Sequence, residues 1–544
     1  HALETGIMPQ RKQSPAPAAR SKSPARAARN KDSQAPVARS KSPARRAPPA
    51  TTPGSAEADV YHGPSGQRVH SKTHTQQLQN PTSNKTWFER QRDTFSLPFL
   101  GCICVVYFAQ GFKALSSLSI QFYLKDTALL EPAAIQSMLS AASLPWSFKP
   151  LYGLCSDAFP IYGQHRKPYL VLSSVLGLVA WATLAFLASA GSVSTPASTP
   201  PAGLLVVLLV ISSLSTALSD VIVDAMVAER SGEAARAAGT AGSDGDSSAG
   251  SEGENALQSL CWGSLSVGGL VGSGIGMMAA SSLSVSHIFL LSASCPALGL
   301  LASQALTESP SACANQAAGG GPIAAVKAQL ASLFDALRQA SIWKPLLFFF
   351  LQNALIPSPG QAMMFFATDK LGFSQEFMAL QGVLAFTFLL VGTWIYSRFV
   401  QGVGFLPLFM WCQLAAAALS LLDLALVSRA NVAFGIPDTA FVLGSDALGT
   451  VLNRLTMQPF LVIAGRLCPA GCEAALFACF MSTYNFGNVA SAMFGAAIMP
   501  FFGVEKGAYA GLLPMLCLRS MCMLIPLALI KPLLGGVEKV TKAE

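Results

Sequence analysis

The stretch "KPLYGLCSDAFPIYGQHRKPYL", residues 149–170, crowds proline, glycine and charge into a short link between two apolar runs. Those runs, at 132–156 and 168–190, each have the length a helix needs to cross about 30 Å of hydrocarbon at about 1.5 Å per residue. A charged, glycine-containing link of this kind between two greasy segments reads as the turn between two membrane-spanning helices.

Outward from this link the pattern repeats. Predicted spans fall at 96–124, 132–156, 168–190, 203–228, 256–280, 284–305, 345–367, 376–399, 405–427, 438–465, 473–500 and 507–531. The fold class expected is therefore an all-α membrane protein with twelve transmembrane helices in two six-helix halves, 95–305 and 345–532. Between the halves, the linker 306–344 contains "PIAAVKAQLASLFDALRQASIW", where Val326, Leu330, Leu333, Phe334 and Leu337 recur at helical spacing. That spacing predicts an amphipathic helix on the membrane surface or against the helix ends. Residues 231–254, acidic and rich in Gly and Ser, are expected to form a disordered loop, and 533–544 a short tail.

Composition agrees: of 544 residues, 51% are hydrophobic and only 12% charged, with a mean hydropathy of +0.45, against about 25% charged in soluble proteins. The partner this implies is the lipid bilayer, not nucleic acid, despite a net charge of +8. Residues 1–94 hold 16 Lys and Arg against 6 Asp and Glu, and the remainder 20 against 22. This Ala/Pro/Ser/Arg-rich tail repeats "RSKSPAR" at Arg20 and Arg39 and has too little apolar surface to offset the entropy of ordering. It reads as disordered, either an organelle transit peptide or a basic tail lying on anionic lipid. Because the chain begins at His1, its natural amino terminus is expected to be missing.

Cations at helix ends orient the bundle. One side carries Lys149, Arg166, Lys167, Arg230, Arg236, Lys327, Arg338, Lys344, Arg398 and Arg466, and the other Lys125, Lys370, Arg429 and Lys506. Ten against four places both termini inside, in a plastid envelope or plasma membrane.

The opening link, with Gly153, Asp157, Gly163, Arg166 and Lys167, resembles the signature loop of the major facilitator superfamily, which implies an inner gate built from those five residues. A wider resemblance runs along residues 96–505. "YFAQG" at Tyr107, "FYLKD" at Phe122, "LPWSFKPLYGLCSD" at Leu144, "DVIVDAMVAER" at Asp220 and "LQSLCWGS" at Leu257 look like the folate-biopterin transporter family, a branch of that superfamily. "LGF" at Leu371, "QPFLVIAGRLCPAGCEAALFA" at Gln458 and "NFGNVASAMFGA" at Asn485 continue it. His165 and the 231–254 insertion depart from the pattern. The resemblance implies a secondary active transporter of folates or pterins, acting as a monomer, with S-adenosylmethionine or another small metabolite as the alternative cargo. A non-transporting receptor or scaffold is the reading from another class.

Charged groups inside hydrocarbon are functional hypotheses in their own right. Gln110 and Lys113 lie in the first span, Asp220 and Asp224 in the fourth, Gln352 and Asn353 in the seventh, and Asp446, Asn453 and Arg454 in the tenth. These are the spans that line the central cavity in the implied architecture. Asp220 and Asp224, four apart, share one helix face and are the proton-coupling candidates. At matching depth in the two halves, Asp220 and Arg454 have as their alternative role a structural ion pair. For a folate, Lys113, Lys149 and Arg454 suit the carboxylate tail, while Asp220, Asp224 and Asn353 suit the ring edge.

Pro357, Pro359 and Gly360 predict a break in the seventh span. Small residues in "VGGLVGSGIG" and at Gly487, Ser491 and Gly495 predict close helix crossings. The twelve cysteines are scattered without paired CxxC or histidine, so no metal site is expected. No phosphate loop is present, and neither enzymatic chemistry nor a cofactor is expected. An intramembrane prenyltransferase would need a second aspartate motif, which Asp438 and Asp446 do not supply.

Overall fold

Within hydrocarbon every backbone donor and acceptor needs an internal partner, so long apolar runs fold as helices. The computed structural model describes residues 87–191, 201–241, 248–279, 282–308, 322–400, 402–467 and 473–536. Among them the helices are α1 (Trp87–Thr94), α2 (Leu97–Phe122), α3 (Pro132–Ser143), α4 (Lys149–Ala158), α5 (Lys167–Gly191), α6 (Ala202–Ala241), α7 (Ser248–Ala279), α8 (Val285–Ala305) and α9 (Pro322–Leu337). They continue as α10 (Ala340–Ala354), α11 (Gly360–Asp369), α12 (Gln375–Ile395), α13 (Phe405–Val427), α14 (Ala430–Ala433), α15 (Asp438–Arg466), α16 (Glu473–Ile498), α17 (Leu512–Cys522) and α18 (Ile525–Leu534).

Eight of the helical segments are long and apolar enough to cross a membrane: Leu97–Thr127, Lys167–Ala190, Ala202–Ser231, Leu257–Ala279, Val285–Ala305, Gln375–Val400, Phe405–Val427 and Leu512–Leu534. Four others, α3 with α4, α10 with α11, α15 and α16, coincide with the remaining apolar stretches of the sequence. Two of these four are interrupted. A 3₁₀ turn at Leu144–Phe148, opened by Pro145, separates α3 from α4. Between α10 and α11, Leu355–Pro359 leaves the helix, as the prolines predict.

Neighbouring helices satisfy the backbone groups freed at the second break. Ser358 N–H donates to Ser491 O at 3.1 Å, and Ser491 Oγ to Ile356 O at 2.6 Å. Gln136 Nε2 donates to Ser358 O and Ala492 O, both at 2.8 Å, while its Oε1 accepts from Gln361 N–H at 3.0 Å. A Cβ on Gly495 would collide with Ser358 O, so the crossing requires glycine there. Similarly, Gly268 and Gly272 of α7 pack on the Phe108 and Phe112 carbonyls of α2, and Gly111 on that of Leu265. Both small-residue faces foreseen in the sequence are thus close crossings.

The amphipathic helix is α9, with Leu333 and Leu337 packed on the core while Phe334 is exposed. The loop expected at 231–254 differs. α6 runs on to Ala241 and α7 starts at Ser248, leaving 242–247 outside the described residues, as is the amino-terminal tail. Alanine, the strongest helix former, dominates 234–241.

Candidate functional site

Three helices bring the central charges together. On α2, Tyr107 and Gln110 are three apart and share a face; on α6, Asp220 and Asp224 are four apart and do the same. The 3₁₀ turn at Leu144–Phe148 delivers Lys149, first residue of α4, against α6. Lys149 forms an ion pair with Asp220, both side chains only 6% exposed. It lies 3.7 Å from Asp224, whose side chain is 39% exposed. Gln110 Nε2 donates to Asp220 Oδ1 at 2.7 Å, and the Tyr107 hydroxyl donates to Asp224 Oδ1. The Lys149 ammonium sits 5.5 Å from the Trp146 ring. Two carboxylates therefore share one ammonium, and the deeper is held by it most directly.

Arg454 of α15 is not part of this cluster. Its Nε donates to Thr393 Oγ1 of α12 at 2.8 Å, and its guanidinium lies 4.7 Å from the Trp262 ring of α7. With its amide turned, Gln458 accepts from Nη2 at 2.8 Å. Arg454 is buried, and among the described residues it has no carboxylate partner. The Asp220–Arg454 ion pair entertained from sequence is not formed, because the break in the second segment inserts Lys149 instead.

Asn353 donates to Phe349 O of its own helix at 3.2 Å and lies beside Gly487. Lys113 opens on a separate cavity. A larger, mainly apolar cavity of about 540 Å³ between α2, α7 and α8 holds none of the charged candidates.

The loop residues do assemble. Arg166 Nη2 reaches Asp157 at 2.7 Å and Glu229 at 2.5 Å, and Nη1 donates to Ser156 Oγ at 2.7 Å. Lys167 Nζ donates to Gln304 O and Leu306 O, both at 3.1 Å. Glu308 accepts the backbone N–H groups of His165 at 2.7 Å and Lys167 at 2.9 Å, capping the start of α5 with negative charge. His165 Nδ1 contacts Ser156 O at 3.0 Å. Gly163, at φ +74°, turns the link, and Gly153 lies against Val221. Tyr107, Trp262, Thr393, Glu229 and Glu308 were not singled out from sequence. Tyr107 was within reach, three residues before Gln110 in "YFAQG".

Residues 110–544 match the BT1 family. The protein named probable folate-biopterin transporter 4 of Arabidopsis thaliana is 32% identical over 495 residues, covering 81% of this chain and 96% of that protein. The folate-biopterin transporter of Synechocystis sp. is 33% identical over 438 residues, covering 80% and 82%. The chain belongs to the folate-biopterin transporter family. As a member of it, the chain is an integral multi-pass membrane transport protein and not an enzyme. Its fold is that of the major facilitator superfamily. A D-xylose–proton symporter superposes with a TM-score of 0.54 at 16% identity, over 79% of this chain and 97% of the other. A nucleoside transporter does so at 0.54 and 15% identity, over 80% and 99%.

Proposed function

We propose that this folate-biopterin transporter family member is a secondary active carrier of folates and pterins, working by alternating access and driven by protons. The observation that carries the reading is the shared ammonium. With both aspartates ionised, Asp220, Asp224 and Lys149 sum to one negative charge, so the cluster takes up one proton without any other ion. Asp224 is the acceptor, being farther from Lys149 and more accessible than Asp220. Protonation weakens its pull on the Tyr107 hydroxyl and frees α2 relative to α6. Arg454 is the opposite pole: a buried guanidinium without a carboxylate, suited to a substrate's acidic tail. Trp262 beside it offers a face to a flat ring, and Asp224 an acceptor to its hydrogen-bonding edge.

All twelve helical segments cross the membrane in this proposal, and both termini lie on the Arg166 side. Setting aside Lys149 and Lys125, which are paired inside the helical segments, leaves nine cations against three, still the same orientation. The gate is the Arg166, Asp157 and Glu229 group, and the carrier acts as a monomer in a plastid envelope or plasma membrane.

The test is uptake of labelled folate, biopterin and S-adenosylmethionine by proteoliposomes, with and without a pH gradient. Asp224→Asn should lose gradient-driven accumulation by at least about tenfold, or about 1.4 kcal/mol, while substrate exchange persists. Full accumulation in both Asp220→Asn and Asp224→Asn would refute proton coupling here. Uptake of S-adenosylmethionine alone would refute the folate assignment.

A further inference from the structure

Lys113 of α2 lines a partly enclosed cavity of about 60 Å³ between α2, α5, α6 and α8, apart from the aspartate cluster. Among the described residues its ammonium has no hydrogen-bond or ion-pair partner, and no carboxylate lines the cavity. The hydroxyls around it fall into two kinds. Ser116, Ser173, Thr216, Ser219 and Ser292 donate to carbonyls of their own helices, at 3.1, 2.8, 3.0, 2.9 and 2.9 Å, and turn only lone pairs elsewhere. Ser174 and Ser215, each 7% exposed, make no such bond among the described residues and have protons to give. An ammonium brings three donors, and a hydroxyl one donor with two lone pairs, so the cavity offers free donors around a positive charge that no lining carboxylate balances. A cation within an apolar span without counter-charge is costly. The space is far below the about 300–1,000 Å³ that metabolite pockets occupy.

We propose that this cavity binds a small monovalent inorganic anion of the chloride class, held by the Lys113 ammonium and the Ser174 and Ser215 hydroxyls. The anion supplies the counter-charge that Lys113 lacks, and its binding does not depend on which substrate the carrier moves.

The test uses the purified full chain in nanodiscs at fixed ionic strength, with chloride titrated against gluconate, which is too large for the cavity. Binding to the folded state raises the thermal midpoint with anion concentration. The midpoint should rise saturably with chloride and with bromide. Ser174→Ala combined with Ser215→Ala should raise the half-saturating concentration at least about tenfold, the loss of about 1.4 kcal/mol, and Lys113→Met should abolish the response. If Lys113→Met fails to fold, the serine double variant decides by the same titration. Anomalous scattering from bromide should locate the ion beside Lys113. A midpoint indifferent to chloride, an unchanged response in the serine double variant or in folded Lys113→Met, or bromide located elsewhere would each overturn the proposal.

Discussion

At the Lys125 end of the bundle a single hydrophobic cluster joins Ile120, Tyr123 and Ile135 of the first six segments to Phe365, Met499 and Leu516 of the last six. At the Arg166 end the core is divided. One cluster, around Ile103, Ile222 and Leu257, draws only on the first six; another, around Phe349, Phe460 and Phe480, draws only on α9 and the last six. The polar contacts follow suit. Lys125 pairs with Asp369 at 2.8 Å, Lys506 N–H donates to Glu131 at 2.8 Å, and Gln361 to Gln121 at 2.9 Å, each across the two sixes. Arg166, Asp157, Glu229 and Glu308 all belong to the first six and the strand of chain just after it. Under the transport proposal this is the state that faces the Arg166 side, because the seal is made at the opposite end.

The sharpest way to break the contrast is at Gln136, which ties α3 to the break at Ser358, to α11 and to α16 through three hydrogen bonds. Gln136→Leu strands buried backbone groups at about 1–3 kcal/mol each. It should lower the thermal midpoint by several degrees and cut folded yield several-fold. An unchanged midpoint would show that the joined end does not depend on this tie.

A milder break comes from Asp369→Asn, which takes from Lys125, itself 8% exposed, its carboxylate partner in the other six and leaves it only the neighbouring Asp126 at 3.2 Å. The seal should loosen without loss of the fold. In a cysteine-free background, Gln121→Cys should react about tenfold faster with an impermeant maleimide applied from the Lys125 side once Asp369→Asn is added. Equal rates would mean that the apolar cluster alone makes the seal. Arg166→Ala should have the smallest effect on stability, within about 1 kcal/mol, since Asp157 and Glu229 are substantially exposed. Uptake should fall two- to fivefold while yield is kept. Wild-type uptake would reduce the loop cations to topology signals.

Much of this fold was legible in the sequence because the bilayer leaves the backbone little choice. Apolar runs of adequate length became helices, and Pro357 and Pro359 broke the segment they were expected to break. The loop residues around Arg166 were legible because they are close in sequence and meet locally. Lys149 and Lys125 were not. Each was counted as a helix-end cation, yet each closes a long-range ion pair, with Asp220 and Asp369 respectively. Hydropathy counts charge by position along the chain and carries no information on which distant carboxylate a helix break will bring alongside. The continuation of α6 to Ala241 was missed for the converse reason: glycine and acidity suggested a loop where local alanine propensity prevailed.

Two interrupted segments, α3 with α4 and α10 with α11, occupy matching places. α3 contributes Ile135 and Ala142 to the shared cluster while Tyr152 of α4 packs on the first-six cluster. α11 contributes Ala362 and Phe365 to the shared cluster while Phe348 and Phe349 of α10 belong to the last-six cluster. Each is thus a jointed shaft, one piece embedded in the seal and the other in a separate block. Flexing a continuous helix there would strain its own ladder of backbone bonds. At Leu144–Phe148 and Leu355–Pro359 that ladder is already interrupted, and at the second joint the loose ends are held by side chains and backbone of neighbouring helices. Bending stiffness is low at these two points, so each block can tilt about the seal at its joint.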